Sequence, residues 1–183
     1  MKIRFKQQPF QLDAVRSIVD CFAGQPYAPS AGPDARNRPV MLPDEDVLRN
    51  MQAVQRRNGL PVSERLEGRY NLTVEMETGT GKTYTFIRTM FELYKTYGWS
   101  KFIVVVPSVA IREGVLKTFR MTEDHFMSVY GMKARYFVYN SKQLHHIEKF
   151  AGDAGLSVMI INAQAFNARG REARRIYMEL DEF

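Results

Sequence analysis

The sequence predicts an α/β fold, a mostly parallel sheet flanked by helices, and three observations carry that prediction. Phe102-Ile103-Val104-Val105-Val106 and the stretch from Leu156 to Ile161 are apolar runs of strand length without alternation, the pattern of strands covered on both faces. Around them, apolar residues recur at helical spacing, so strands alternate with helices. Finally, Glu77-Thr78-Gly79-Thr80-Gly81-Lys82-Thr83 is a glycine-rich turn set between an extended run (Leu72, Val74, Met76) and a periodic helix (Phe86, Ile87, Met90, Phe91, Tyr94, Tyr97). Three or four parallel strands joined by right-handed crossovers are expected.

Taken in order, Lys2 to Lys6 alternates, with Ile3 and Phe5 on one side. Phe10, Ala14, Val15, Ile18, Val19 and Phe22 then repeat at helical spacing until Gly24 and Pro26 end the run. From Gln25 to Pro43 the chain holds five of its eight prolines (Pro26, Pro29, Pro33, Pro39, Pro43) and no apolar period, which predicts a loop or poorly ordered insert. Asp44-Glu45-Asp46 opens a second helix with Val47, Leu48, Met51 and Val54 on its apolar face, closed by Asn58-Gly59 and Pro61. Arg56-Arg57 at its end either complement the helix dipole or touch a nucleic acid. Beyond the central turn, Pro107-Ser108 stops the first apolar strand and starts a helix with Ile111, Val115, Leu116 and Phe119 inward. Arg135 to Tyr139 reads as a strand, and Asn140-Ser141 as the cap of a short helix with Leu144, Ile147 and Phe150. Gly155 introduces the strand ending in Asn162-Ala163-Gln164-Ala165-Phe166-Asn167, and Arg169, Arg171, Arg174 and Arg175 fall on a final helix with Ile176 and Met178.

Size and composition restrict what the chain can be. Its 183 residues can bury one sizeable core, and 45% hydrophobic with 25% charged residues suits a globular protein. No segment approaches a membrane span, and the first residues lack the apolar run of a signal peptide, so a cytoplasmic location and no membrane partner are expected. Cys21 is the single cysteine and falls in an apolar-periodic helix, which predicts a buried, inert thiol. His145 and His146 are adjacent, about 100° apart on a helix, so they do not form a metal pair. A formal charge of +6 and a sequence pI near 9.5 suit a polyanionic partner, although 20 acidic residues are spread among 26 basic ones.

The central turn points to phosphate chemistry. Strand, glycine loop, Lys-Thr and helix are what a triphosphate-binding loop requires. Backbone N–H groups and the helix dipole favour an anion, Lys82 reaches toward the β- and γ-phosphates, and the Thr83 hydroxyl is a ligand for Mg²⁺. Thr78, Gly79, Thr80 and Gly81 complete the loop, while Met76 stands where the general pattern has its first glycine. Upstream, Gln11 could offer donor and acceptor to an adenine edge, with Phe5 stacking on the base. The turn after Val106 lies at the carboxyl end of a parallel strand, where ligands of open α/β sheets bind. There Ser108 and Arg112 either hold a nucleic-acid phosphate or serve as an ordinary helix cap and a solvated cation.

The joint order of these motifs identifies a resemblance. Pro9-Phe10-Gln11-x-x-Ala14-Val15, then Met76 to Thr83, then Val105-Val106-Pro107-Ser108-Val109-Ala110-Ile111-Arg112-Glu113-Gly114-Val115, then Ile161-Asn162-Ala163-Gln164-Ala165-Phe166 resembles a superfamily 2 helicase. More narrowly, it is similar to the restriction (Res) subunit of type III restriction–modification enzymes, down to Tyr97-Gly98-Trp99-Ser100-Lys101-Phe102. The resemblance implies an incomplete RecA-like P-loop lobe with ATP and Mg²⁺ as cofactors. It makes Gln11 the adenine reader, Lys82 the catalytic lysine, and Ser108, Val109, Arg112, Asn162 and Gln164 contacts to double-stranded DNA. It implies a modification (methyltransferase) subunit as partner of the parent complex. The expected organisation is a partial first motor lobe over 1–183, with an adenine-motif region (1–24), a Pro-rich insert and helix (25–68) and a P-loop core (69–183) that ends before the acidic metal-binding motif. No apolar strand after the loop ends in Asp-Glu; Asp181-Glu182 follows a helix-like pattern. The chain is therefore expected to be inactive by itself, and an unfinished sheet edge would favour self-association.

Overall fold

The computed structural model describes residues 5–29, 36–140 and 145–166. They fall into two compact units, a helical one on Phe5–Ala28 and Pro39–Tyr97 and a sheet-based one on the described residues at 29, 36–38, 98–140 and 145–166.

The helical unit contains α1 (Pro9–Asp20), α2 (Asp44–Arg57) and α3 (Lys82–Tyr97). Proline at its first position suits the start of α1, where a missing N–H costs nothing. The core joins Val15, Cys21 and Phe22 with Ile87, Met90, Phe91, Leu93 and Tyr97, and each such apolar side chain contributes about 1.5–3 kcal/mol by leaving water. Tyr97 anchors the C-terminus of α3, its hydroxyl donating to the Val19 carbonyl at 2.8 Å while its ring meets Phe22 edge-on. Burial, reinforced by Asp20, pushes the Cys21 thiol up to about 11 and the Tyr97 phenol up to about 12, so Cys21 is the inert thiol expected. α2 keeps its predicted bounds: three acids in the first turn, Arg56 and Arg57 in the last, and Gly59 at φ +67 after the end. Its Arg57 pairs with Asp20 at 2.6 Å, which ties the basic end of α2 to α1.

One expectation for this unit fails. The extended run Asn71–Glu77 has no regular secondary structure. A strand exists only by pairing, and no described strand lies alongside Leu72 to Met76, which leaves Thr73, Val74 and Glu75 exposed. The proline-rich insert has no regular secondary structure where it is described, at residues 25–29 and 36–43, the loop its composition predicts. Gln25 is buried, donates to the Pro39 carbonyl at 3.3 Å and accepts from Met41 N at 2.8 Å, so one carboxamide fixes the approach to α2.

The sheet unit runs β1 (Lys101–Val106), α4 (Val109–Tyr130), β2 (Arg135–Val138), α5 (His145–Gly152), β3 (Ser157–Asn162) and α6 (Ala163–Phe166). Its three strands are all parallel in the order β1-β3-β2, with Lys101 and Arg135 both opposite Ser157. β3 is central, and Val158, Met159, Ile160 and Ile161 are all buried, as a continuous apolar run predicts. On one face Phe119 of α4 stacks on Tyr136 at 4.7 Å; on the other, Phe137 meets Phe150 and His146 of α5.

The similar run in β1 is not covered on both faces as expected. Among the described strands β1 lies at the edge with one neighbour, and Ile103 and Val105 are 39% and 47% exposed. Ile111, expected inward on α4, is 51% exposed in the helix's first turn, above the point where Val115 and Leu116 reach the core. At the other end of β1, Lys101 donates to the Asp153 carbonyl and stands 5.6 Å over the Phe150 ring. Burial there lowers its pKa, with Asp153 opposing the shift. Asn37 completes that corner: its Oδ1 accepts from Ser100 N (2.7 Å) and Lys101 N (2.9 Å), and its Nδ2 donates to the Lys101 carbonyl (2.7 Å). The predicted arginine-bearing helix (Arg169 to Arg175, with Ile176 and Met178), Asp181-Glu182, the Ile3 side of the first alternating stretch, and Ser141 and Leu144 lie outside the described residues.

Candidate functional site

The glycine-rich turn is shaped by two residues that a side chain would strain. Gly79 has φ +82 and Gly81 φ +87, the left-handed region where a Cβ clashes. A Cβ on Gly79 would meet nothing within 4 Å, whereas one on Gly81 would lie 2.6 Å from Gln11 Nε2. Glycine at 81 therefore makes room for the glutamine. That carboxamide donates to the Thr80 carbonyl at 2.8 Å, which joins the first turn of α1 to the loop before α3. The sequence-predicted Gln11, Thr80 and Gly81 thus meet at one place.

The loop also satisfies itself. The Glu77 carbonyl accepts from Thr80 N (3.4 Å), Thr80 Oγ1 (2.6 Å) and Lys82 Nζ (3.0 Å), and Lys82 Nζ donates to the Met76 carbonyl as well (2.8 Å). Lys82 is exposed and its four-carbon stem is flexible, so the ammonium can exchange these carbonyls for a stronger acceptor. Gly81 precedes α3 without a side chain to cap it, and the first-turn N–H groups of a helix have no intrahelical partner. Together with Lys82 this donor set fits a phosphate group. Thr83 is half-exposed on that first turn and Thr78 exposed at the loop's outer side. Among the described residues no three His, Cys, Asp or Glu side chains cluster as a metal site.

Phe5 stacks on Tyr84, centroids 6.0 Å apart and planes 12° apart, and Tyr84 Cβ borders the space beside Gly81. Arg88 Nη1 donates to the Tyr84 hydroxyl at 3.1 Å. Sequence reading passed over Tyr84 and Arg88. Their signal was an aromatic residue directly after Lys82-Thr83 and an arginine four residues on, hence on the same helix face.

A second group of predicted residues gathers at the carboxyl ends of β1 and β3. Val106 is opposite Asn162 in the parallel register, so Ser108 and Val109 after β1 stand on the same rim as Asn162 and Gln164. Ser108 Oγ accepts from Ile111 N at 3.3 Å and caps α4. Val109 and Gln164 are exposed, and Asn162 Oδ1 is buried without a partner among the described residues. Arg112 does not point free into solvent, because its Nε and Nη2 donate to Glu113 Oε1 at 3.2 and 3.0 Å.

These features can be set against known proteins. The family profile described as "Type III restriction enzyme, res subunit" matches residues 4–179, nearly the whole chain. The chain belongs to that family. Membership in the Res-subunit family carries a helicase-like, ATP-binding character and agrees with a partial RecA-like lobe built on an all-parallel sheet. Among curated relatives, the chain is 30% identical over 145 residues to the type III restriction–modification enzyme EcoPI Res subunit of Escherichia phage P1, covering 75% of this chain and 15% of that protein. It is 35% identical over 111 residues to the EcoP15I Res subunit of Escherichia coli, covering 58% of this chain and 11% of that protein. To the StyLTI Res subunit of Salmonella typhimurium it is 34% identical over 108 residues, covering 59% of this chain and 9% of that protein. The chain therefore spans a small part of the length of the Res subunits it matches. No helix of the described residues is long and apolar enough to cross a membrane.

Proposed function

We propose that this chain is the N-terminal part of an ATP-dependent DNA translocase or helicase motor of a type III restriction endonuclease, and that it holds nucleotide without turning it over. The observation that carries the reading is the Gln11-to-Thr80 hydrogen bond, which brings a carboxamide suited to an adenine edge onto the loop suited to the phosphates. In this reading Lys82 leaves the Met76 and Glu77 carbonyls for the triphosphate, the amides heading α3 take the remaining phosphate oxygens, and Phe5 stacks on the base. Thr83 would supply a hydroxyl to Mg²⁺, which bound here would neutralise charge on the phosphates. Hydrolysis further requires a carboxylate to hold that metal and a group to orient water.

For the sheet unit, the reading assigns duplex DNA, held through its phosphates, to the rim of Ser108, Val109, Arg112, Asn162 and Gln164. Arg112 would exchange Glu113 for a phosphate oxygen. The whole enzyme's modification subunit and the cytoplasmic location belong to the same proposal.

Calorimetric titration of the chain with Mg-ATP is expected to show saturable binding that ADP competes away, with no sustained phosphate release. Absence of both heat and competition would overturn the nucleotide site. Steady turnover abolished by Lys82→Ala would overturn the claim that hydrolysis needs more than this chain.

A second reading has its own observation. Ile103 and Val105 expose apolar surface on the edge strand β1, which suits a binding or assembly module that self-associates. Sedimentation over a range of concentrations separates the two, and a clean monomer with a saturable nucleotide site excludes the second.

A further inference from the structure

The helical unit contains a chain of side chains that the phosphate-loop reading leaves unused. Tyr84 is buried, stacks on Phe5, and borders with its Cβ the same space beside Gly81 into which Gln11 Nε2 projects. Its hydroxyl accepts from Arg88 Nη1 at 3.1 Å. Arg88 is 7% exposed, its Nε has no hydrogen-bond partner among the described residues, and no carboxylate among them pairs with it. Withdrawn from water with no counter-charge among the described residues, it is an expensive way to fill space. What it supplies here is direction, because a guanidinium is a rigid planar fork and fixes the group it donates to.

We infer that Tyr84 is a positioning residue for purine recognition, holding the plane of the Phe5 ring on which the base stacks, with Arg88 holding Tyr84 in turn. The inference rests on the nucleotide reading above and extends it to residues no motif contains. Phe5 belongs to the non-helical segment ahead of α1, so nothing in its own backbone structure fixes its ring. A stacking platform adds affinity only to the extent that it is oriented before the base arrives. Stacked on Tyr84, Phe5 has a defined plane, and the same tyrosine lies next to Gly81 where Gln11 is seated. The face reader and the edge reader of a purine are thereby referred to one buried side chain. The site so described takes a purine nucleoside triphosphate, and the base and phosphate parts of recognition reside on different residues.

That division supplies the test. Binding of Mg-ATP and of inorganic triphosphate is measured on the chain and on Tyr84→Leu, which keeps an apolar side chain in the core but removes the ring; folding is checked by circular dichroism. Tyr84→Leu is expected to weaken Mg-ATP about five- to tenfold, the value of one aromatic stack, and to leave inorganic triphosphate within about twofold. Quenching of 2-aminopurine riboside triphosphate fluorescence should fall in Tyr84→Leu and return in part in Tyr84→Phe, which restores the ring without the hydroxyl that Arg88 holds. Equal weakening of both ligands, or no change in either, overturns the inference while leaving the phosphate site standing. A parent chain that binds neither ligand overturns the nucleotide reading and this inference with it. If Tyr84→Leu does not fold, Arg88→Met carries the same comparison with an expected two- to threefold change in the ratio, about half a stack; an unchanged ratio is then the refutation.

Discussion

The turns that head α3 and α4 share a plan, an extended segment followed by a helix N-terminus, and differ in what satisfies the helix. Ahead of α4, Ser108 turns its hydroxyl back onto Ile111 N, so the first-turn donors are already partly engaged by the protein. Ahead of α3 stands Gly81, which has no side chain to offer, and the loop instead closes on itself through the Glu77 carbonyl and the Lys82 ammonium. The serine cap stabilises a helix; the glycine loop keeps an anion-seeking end for something else. The difference teaches that a helix N-terminus becomes a binding site by the omission of a cap as much as by the presence of a lysine. On the proposed function the two turns would do different work, with backbone amides and Lys82 in one and side chains on the rim in the other.

The largest effect should come from the lysine. Lys82→Ala removes a charged donor and should weaken triphosphate binding about 10- to 100-fold, the worth of a charge-assisted hydrogen bond, while leaving the melting temperature nearly unchanged because Lys82 is exposed. A melting temperature that falls with the affinity would mean that Lys82 serves the loop and not the ligand. Next, Gly81→Ala forces a Cβ into a left-handed conformation and against Gln11, with an expected loss of about 1–2 kcal/mol in urea unfolding. Gly79→Ala shares the backbone strain without the contact, so it should leave base selectivity intact where Gly81→Ala degrades it. Equal behaviour of the two alanines would remove Gln11 from the site. Ser108→Ala should cost about 1 kcal/mol of stability and little else. The smallest effect is reserved for Arg112→Ala, which should lower the slope of log DNA affinity against log salt by about one if the side chain leaves Glu113 for a phosphate. An unchanged slope would confine Arg112 to its ion pair.

Local chemistry was legible in the sequence wherever the deciding contacts are local. The bounds of α2 follow from Asp44-Glu45-Asp46 at one end and Asn58-Gly59 at the other, and the α4 cap from Ser108. The burial of β3 follows from an unbroken apolar run. The same kind of run misled for β1, because two-sided apolar character says that a strand can be covered and not that it is; the neighbours are set by topology. Leu72, Val74 and Met76 failed as a strand for the same reason, since the alternation is local and the partner strand is not. In the candidate site Gln11, Gly81 and Lys82 were legible through their motifs. Tyr84 and Arg88 were not, because their meaning lies in a stack on Phe5 across most of the unit's sequence.

Asn37 has a consequence for how the sheet can grow. In β1 the Ser100 carbonyl accepts from Ser157 on the β3 side, and the Lys101 amide and carbonyl point the other way, onto the Asn37 carboxamide. The first outward rung of the edge is therefore already filled by a side chain imitating a strand. A newcomer pairing there must start beyond Lys101 and finds only the outward backbone groups of Ile103 and Val105 before Pro107 ends the ladder. Asn37 acts as a stop that sets the phase of any joining strand and holds its length to a few residues. Among the described residues, one asparagine from the proline-rich insert thus shortens the edge along which another strand could pair.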